Sequence, residues 1–248
     1  MEWIKGVVIS NQLAGEKFRW IKIKPEKEIA YGVGQYLFME IGEGNKRSYS
    51  ICSVPGSEEL ELLVDITPGS LPAPDGAGSR YIDELKEGDE VRLAMPFGTF
   101  TWREEGTRIT VFVGTGSGIS SLWPMILEAS VEREKTALLF WGLRKRENIF
   151  WEERFEDVSM QRLNFATEVV LSEPEADWLG KTGHVTESVA GWLSGFLNGG
   201  GGVEEVSFYL CGNGEMIKEV TKLIGEMGVT REHIHSESYF DGGGVIKY

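Results

Sequence analysis

Cysteine is scarce: Cys52 and Cys211 are the only two in 248 residues. Two thiols cannot build a four-cysteine iron–sulfur or zinc site, and no secretory signal supports a disulfide between them. Residues 1–10 carry Glu2 and Lys5 and lack the apolar core of a signal peptide. Long apolar runs are missing too. The longest, near residues 136–143, is far short of the ~20 residues that a membrane-spanning helix needs. Basic charge is in deficit, with 25 Lys and Arg against 39 Asp and Glu and a net charge of −14. That balance excludes nucleic acid or an anionic membrane surface as the main partner. The expectation is a soluble, cytoplasmic protein with no metal centre, no nucleic acid and no membrane insertion.

What is present fits an ordered protein of one large or two modest domains, with 41% apolar and 26% charged residues. Glycine is over-represented, at 32 residues, without a collagen-like period. The excess suggests tight turns and close backbone approaches, which are the geometry of cofactor phosphates.

Two rhythms divide the chain. Residues 3–8, 19–24, 35–41, 47–54, 60–67 and 90–94 read as short strands, with turn formers at 11–15, 42–45, 55–59 and 68–78. A short helix is expected at 81–86. Six strands and one small helix predict a closed antiparallel barrel. After Arg103 strands alternate with helices. Strands are expected at 108–113, 136–141, 165–171, 206–211 and 234–239, and helices at 120–133, 148–155, 187–197 and 215–227. That alternation indicates βαβ units and a parallel sheet. The boundary falls near 102–106, giving units 1–103 and 104–248.

Four short stretches could carry chemistry. Gly114-Thr115-Gly116-Ser117-Gly118 lies between an expected strand and helix, where backbone N–H groups can meet a pyrophosphate; a plain tight turn reads equally well. Arg47-Ser48-Tyr49-Ser50 offers a guanidinium for phosphate, a ring for stacking and a hydroxyl. On a strand Arg47 and Tyr49 share one face and Ser48 and Ser50 the other; an ordinary surface strand presents the same residues. Gly76-Ala77-Gly78-Ser79 precedes the short helix, with Ser79 placed as its N-cap. Cys211-Gly212-Asn213-Gly214 follows a buried strand, where a free Cys is more often a core thiol than a reactive one.

Taken in order, and with Pro96–Phe100, Gly142-Leu143-Arg144, Tyr209–Gly212 with Met216, and Glu237-Ser238-Tyr239-Phe240, these stretches resemble the ferredoxin–NADP reductase superfamily of flavoproteins, bacterial ferredoxin/flavodoxin–NAD(P) reductase type. The resemblance spans nearly the whole chain. It implies a six-stranded flavin-binding barrel followed by a parallel-sheet, Rossmann-like nicotinamide-nucleotide domain. It also implies site residues. Arg47 would contact a flavin phosphate, Tyr49 pack on the isoalloxazine, and Ser50 lie near N5, with Ser48 beside them. Gly76, Ala77, Gly78 and Ser79 would bind the flavin phosphates, and Val64 and Ile66 would run beside the cofactor. Gly114, Thr115, Gly116, Cys211, Gly212 and Met216 would meet the nicotinamide nucleotide. Tyr239 or Phe240 would shield the flavin. Ser50, Cys211 and Glu237 are the expected catalytic set, Glu237 as a proton or polarity element. FAD is expected over FMN because Pro96–Phe100 has the FAD-type pattern.

The resemblance further implies electron exchange between NAD(P)H and a one-electron carrier such as ferredoxin or flavodoxin, with no iron–sulfur domain in this chain. Two alternatives stay open: a flavin-holding electron-transfer subunit of a larger complex, and a free flavin reductase. NADP users carry Arg where this chain has Glu173 and His184, which favours NADH, whereas Arg144, Lys145 and Arg146 could hold a 2′-phosphate. The chain continues past the aromatic pair through residues 241–248, where a glycine run predicts a turn and an apolar end that could gate nicotinamide access.

Overall fold

Alternation along the first half decides its form. In the computed structural model, which describes residues 2–42, 44–67, 77–131, 134–162 and 164–240, the first six strands are β1 (Ile4–Ala14), β2 (Phe18–Pro25), β3 (Tyr36–Glu40), β4 (Lys46–Ser50), β5 (Leu60–Asp65) and β6 (Glu90–Phe97). They pair antiparallel in the order β4-β3-β6-β1-β2-β5. A bridge between Ile51 and Leu62 joins the sheet's two ends and closes the barrel. Val8, Ile21, Ile23, Leu37, Met39, Leu62 and Leu93 fill its interior, while Lys5, Lys24 and Arg92 at alternate positions reach solvent.

Some boundaries differ from expectation: β4 ends at Ser50 and not at 54, and β6 runs on to Phe97. β1 runs on through Asn11–Ala14 instead of turning there, because these residues pair with β2 as far as Phe18. Asn11 serves another end: its Nδ2 donates to the carbonyls of Ile82 and Leu85, at 2.7 and 2.8 Å. Those carbonyls belong to the end of α1 (Ala77–Glu84) and the residue just past it. This helix starts two residues before Ser79, so Ser79 is not its N-cap; the Ser79 hydroxyl donates instead to the Asp65 carbonyl at 2.9 Å. Gly76 and residues 241–248 lie outside the described residues.

The second half is a parallel sheet of β7 (Ile109–Thr115), β8 (Thr136–Leu143), β9 (Phe165–Leu171), β10 (Lys181–Thr182), β11 (Val206–Asn213) and β12 (Ile234–Phe240). Its order is β10-β9-β8-β7-β11-β12. Strands β7 and β11 are buried on both faces and accordingly read as nearly continuous apolar runs, interrupted at Thr110 and Ser207, where the Ser207 hydroxyl donates to Thr110 Oγ1 at 3.4 Å. Four helices cover them: α2 (Ile119–Ala129), α3 (Glu152–Gln161), α4 (Val185–Asn198) and α5 (Gly214–Glu226). The chain winds outward through β8 and β9 and then returns to β11, so the carboxyl ends of β7 and β11 lie side by side at the switch point. The two-residue β10 has no counterpart in the expected pattern. The helix expected at 148–155 begins only at Glu152, because Phe150 and Trp151 drop into the core, and Trp151 turns the chain in a left-handed conformation, φ 61°.

One apolar cluster crosses from barrel to sheet. Phe18, Cys52, Leu63 and Phe100 from the first half pack with Phe112, Leu122, Trp141, Phe150 and Trp151 from the second. Phe18 and Phe150 have ring centroids 4.9 Å apart. At its rim Arg154 donates to both Glu61 carboxylate oxygens, at 3.0 and 3.3 Å, and lies over the Trp20 and Trp151 rings. Burying each large side chain is worth about 1.5–3 kcal/mol and one ion pair at the rim about 1, so apolar contact dominates the seam.

Candidate functional site

The first part of the site is a corner between β4 and the start of α1. Arg47 and Tyr49 alternate with Ser48, which is exposed, and Ser50, which is buried. The Tyr49 hydroxyl donates to the Gly78 carbonyl at 3.2 Å, and burial pushes its pKa up. Gly78 has to be bare: a Cβ there would lie 2.9 Å from Arg47 Cγ and 3.1 Å from the Tyr49 hydroxyl. Ala77, Gly78 and Ser79 thus bring the first turn of α1 against the stem of Arg47, whose guanidinium donates to the Lys46 carbonyl at 3.0 Å; a cation beside helix-start N–H groups suits a phosphate. Val64 faces the barrel core, and Ile66 just beyond β5 donates its N–H to the Lys17 carbonyl at 2.9 Å.

The second part is a group of hydroxyls where the two halves meet. The Tyr239 hydroxyl donates to Ser50 Oγ at 2.7 Å. It also lies 2.9 Å from Ser120 Oγ and 3.2 Å from Ser121 Oγ. Ser121 in turn donates to Cys211 Sγ at 3.0 Å. Glu237 is the partner of Cys211 across the β11–β12 pair. Its Oε2 is buried with no hydrogen-bond partner among the described residues, and burial raises its pKa to about 7. Burial first and then the neighbouring Glu237 push the Cys211 thiol up, so it stays protonated. The expected trio Ser50, Cys211 and Glu237 is therefore drawn together from three strands. The backbone of Phe240 ends β12 beside them. Ser120 and Ser121 stand outside the motifs that the sequence singles out; their one signal is a serine pair directly after the glycine-rich turn, in the first turn of a helix.

Two glycines permit this approach. A Cβ on Gly118 would lie 2.3 Å from the Cys211 carbonyl oxygen, and one on Gly212, φ +134°, would lie 2.3 Å from Thr115 Oγ1. With both bare, Thr115 Oγ1 accepts the Asn213 N–H at 2.9 Å and fixes the strand-end turn.

A cleft of about 650 Å³ opens from this point. Lys17, Asp65 and Thr67 line it from the barrel; Thr115, Gly116, Arg144, Gly212, Met216 and Tyr239 line it from the sheet. The starts of α4 at His184–Thr186 and of α5 at Asn213–Glu215 open on it, together with the Gly116-Ser117 turn before α2. Helix N-termini favour anions there. Gly114 sits beneath, against Leu122, and does not line the cleft. Neither does Glu173, which is exposed and donates its N–H to the Arg144 carbonyl at 2.8 Å. Ser172 lines it instead, and Glu215 and Glu219 add carboxylates that the sequence patterns do not single out.

Comparison with known proteins agrees with this geometry. The oxidoreductase FAD-binding domain family matches residues 5–102 and the oxidoreductase NAD-binding domain family residues 112–222. A subunit of the Na(+)-translocating NADH-quinone reductase of Yersinia enterocolitica is 32% identical over 207 residues, 80% of this chain and 50% of that protein. Its Klebsiella pneumoniae counterpart is 32% identical over 203 residues, 79% of this chain and 49% of that protein. The chain thus spans about half the length of the curated relatives it matches. Among solved structures, an Amycolatopsis cytochrome P450 reductase superposes with a TM-score of 0.86 at 22% identity, over 98% of this chain and 71% of that one. A Neisseria gonorrhoeae ferredoxin NADP+ reductase with bound FAD and NADP gives 0.79 at 20% identity, over 97% and 100%. With an FAD-binding barrel, an NAD-binding sheet and the cleft between them, the chain belongs to the ferredoxin–NADP reductase-like superfamily of flavoprotein oxidoreductases.

Proposed function

We propose that this chain is the FAD-holding electron-transfer unit of a larger redox assembly, taking electron pairs from NADH and passing them singly to a partner centre. The observation that carries the reading is the position of Tyr239, which lines the nucleotide cleft and donates to Ser50 on the barrel strand. The nucleotide cleft and the flavin strand therefore share one boundary. The Yersinia and Klebsiella relatives, subunits of an NADH-quinone reductase, support the same reading.

Bound FAD supplies the exchange between two-electron and one-electron transfer. The corner of Arg47, Tyr49 and bare Gly78 would hold its diphosphate, and a built corner of this kind favours a resident flavin over one borrowed as a substrate. Thr115 and Gly212 shape the strand-end turn that receives the nicotinamide. Glu237 keeps a proton below about pH 7 and gives it up above. Glu215 and Glu219 share the cleft with Arg144 and His184. A 2′-phosphate would meet these carboxylates as like charge, whereas a ribose diol can donate to them.

A second reading, a reductase of free ferredoxin or flavodoxin, is favoured by the match over 100% of the Neisseria enzyme. An anaerobic titration separates the two. NADH is expected to bleach the bound flavin more readily than NADPH, and a quinone-linked or other bound redox partner to restore its colour. Restoration by free ferredoxin or flavodoxin alone would select the second reading. A flavin that neither nucleotide reduces would sink both.

A further inference from the structure

The tyrosine near the end of β12 does more in this fold than present a ring. Its hydroxyl is the hub of a set of buried polar groups, Ser50, Ser120, Ser121 and Cys211. Toward Ser50 Oγ the alignment makes Tyr239 the donor, at 2.7 Å. A phenol has one proton. With that proton committed to Ser50, the contacts to Ser120 at 2.9 Å and Ser121 at 3.2 Å have to run inward, with the Tyr239 oxygen accepting. Ser121 faces a second choice, since its Oγ also donates to Cys211 Sγ at 3.0 Å. One hydroxyl proton serves one strong bond, which leaves Ser120, beside the protonated Cys211 thiol that also bonds the Tyr239 hydroxyl, as a donor to Tyr239. Both serines are almost wholly buried, at 1% and 0% exposure, so water does not compete.

The result is a one-way chain from Ser120 through Tyr239 to Ser50. Its consequence lies at Ser50. An Oγ that already accepts from Tyr239 has its own proton free to donate elsewhere, and Ser50 ends β4 on the face opposite the Arg47 corner, against Tyr239 at the edge of the nucleotide cleft. We propose that Tyr239 is a positioning residue whose hydroxyl, by donating to Ser50, turns the Ser50 O–H outward as a hydrogen-bond donor to the bound flavin. This rests on the FAD reading given above. It differs from the shielding role of an aromatic ring, because a phenylalanine would shield equally well and leave Ser50 free to point its proton inward. Burial holds the Tyr239 hydroxyl protonated well beyond the ordinary tyrosine range, so the chain keeps its direction across neutral pH.

The competing reading is structural: the Tyr239–Ser50 bond merely ties the end of β12 to the barrel. Three variants separate the two, Tyr239→Phe, Ser50→Ala and the double change, with Ser120→Ala as an independent probe one bond further back. The readouts are the FAD dissociation constant of the apoprotein, followed by fluorescence quenching, and the midpoint potential and absorption bands of the bound flavin. Tyr239→Phe is expected to weaken FAD binding by about threefold to tenfold and to shift the potential and the bands. Ser120→Ala should shift them in the same direction by less. In the Ser50→Ala background Tyr239→Phe should change nothing more. Wild-type binding with an unmoved Tyr239→Phe spectrum and potential would overturn the proposal, as would effects of Tyr239→Phe and Ser50→Ala that simply add. Wild-type protein that takes up no FAD would overturn the functional reading and the proposal with it.

Discussion

Glu237 stands opposite Cys211 across the β11–β12 pair, and burial of an Oε2 that has no hydrogen-bond partner among the described residues raises its carboxyl pKa to about 7. A carboxyl whose pKa is raised in the folded state stabilises the fold relative to an ordinary glutamate only while it stays protonated. The stability it contributes is full below the unfolded value of 4.5 and is lost as pH rises through about 7. Glu237→Gln mimics the protonated form at every pH. The apoprotein variant should gain on wild type by about 2–3 kcal/mol between pH 4.5 and 8, measured by urea unfolding. A difference between the two that does not vary with pH would show that Glu237 is not held this way.

Two glycines offer opposite outcomes for the same substitution. Gly118→Ala forces a Cβ onto the Cys211 carbonyl, and should cost about 1–3 kcal/mol and raise the Michaelis constant for NADH. Gly191, inside α4, would meet nothing within 4 Å. Gly191→Ala should therefore stabilise by about 0.5–1 kcal/mol. Equal melting shifts for the two variants would refute this reading of the turn.

Nucleotide preference should respond to the cleft and not to its rim. Glu219→Gln removes a carboxylate from the cleft and is expected to raise the kcat/KM for NADPH relative to NADH by about threefold to tenfold. Glu173→Arg, on an exposed residue outside the cleft, should change that ratio less than twofold. The reverse ranking would put the adenosine ribose beside Glu173.

At the junction, truncation of the aromatic ring should outweigh loss of the charge. Trp151→Ala is expected to cost about 3–5 kcal/mol. Arg154→Ala should cost about 1–2, because Glu61 keeps the Trp20 Nε1–H at 3.1 Å and Lys22 at 3.6 Å. Thermal unfolding of the two variants decides it; an Arg154→Ala loss as large as that of Trp151→Ala would mean the ion pair governs the seam.

Much of this architecture is legible because it is written locally. Short, largely apolar and β-branched runs such as those at 109–113 and 206–211, alternating with helical stretches, point to central parallel strands, and glycines at strand ends mark close approaches. The boundaries that differ do so for tertiary reasons. Asn11 stays in a strand because its backbone pairs with Ile21 of β2, and Trp151 delays α3 because its ring belongs to the seam. Ser120 and Ser121 are not legible as site residues, since a serine in a helix has no period of its own. Their meaning lies in Tyr239, more than a hundred residues away.

The cluster shared by Phe18, Leu63, Phe100, Phe112 and Trp141 also governs how the molecule comes apart. The barrel keeps a core of its own around Val8, Ile21 and Leu37 and the parallel sheet one around Val111, Val189 and Leu210, yet each half also carries an aromatic face that only the other covers. Heating the apoprotein should produce one calorimetric transition with matching van't Hoff and calorimetric enthalpies, not two. A fragment ending at residue 103 should precipitate, its bare aromatic face left without a counterpart. Two families of domain meet in this chain, and the shared wall binds them into a single melting unit.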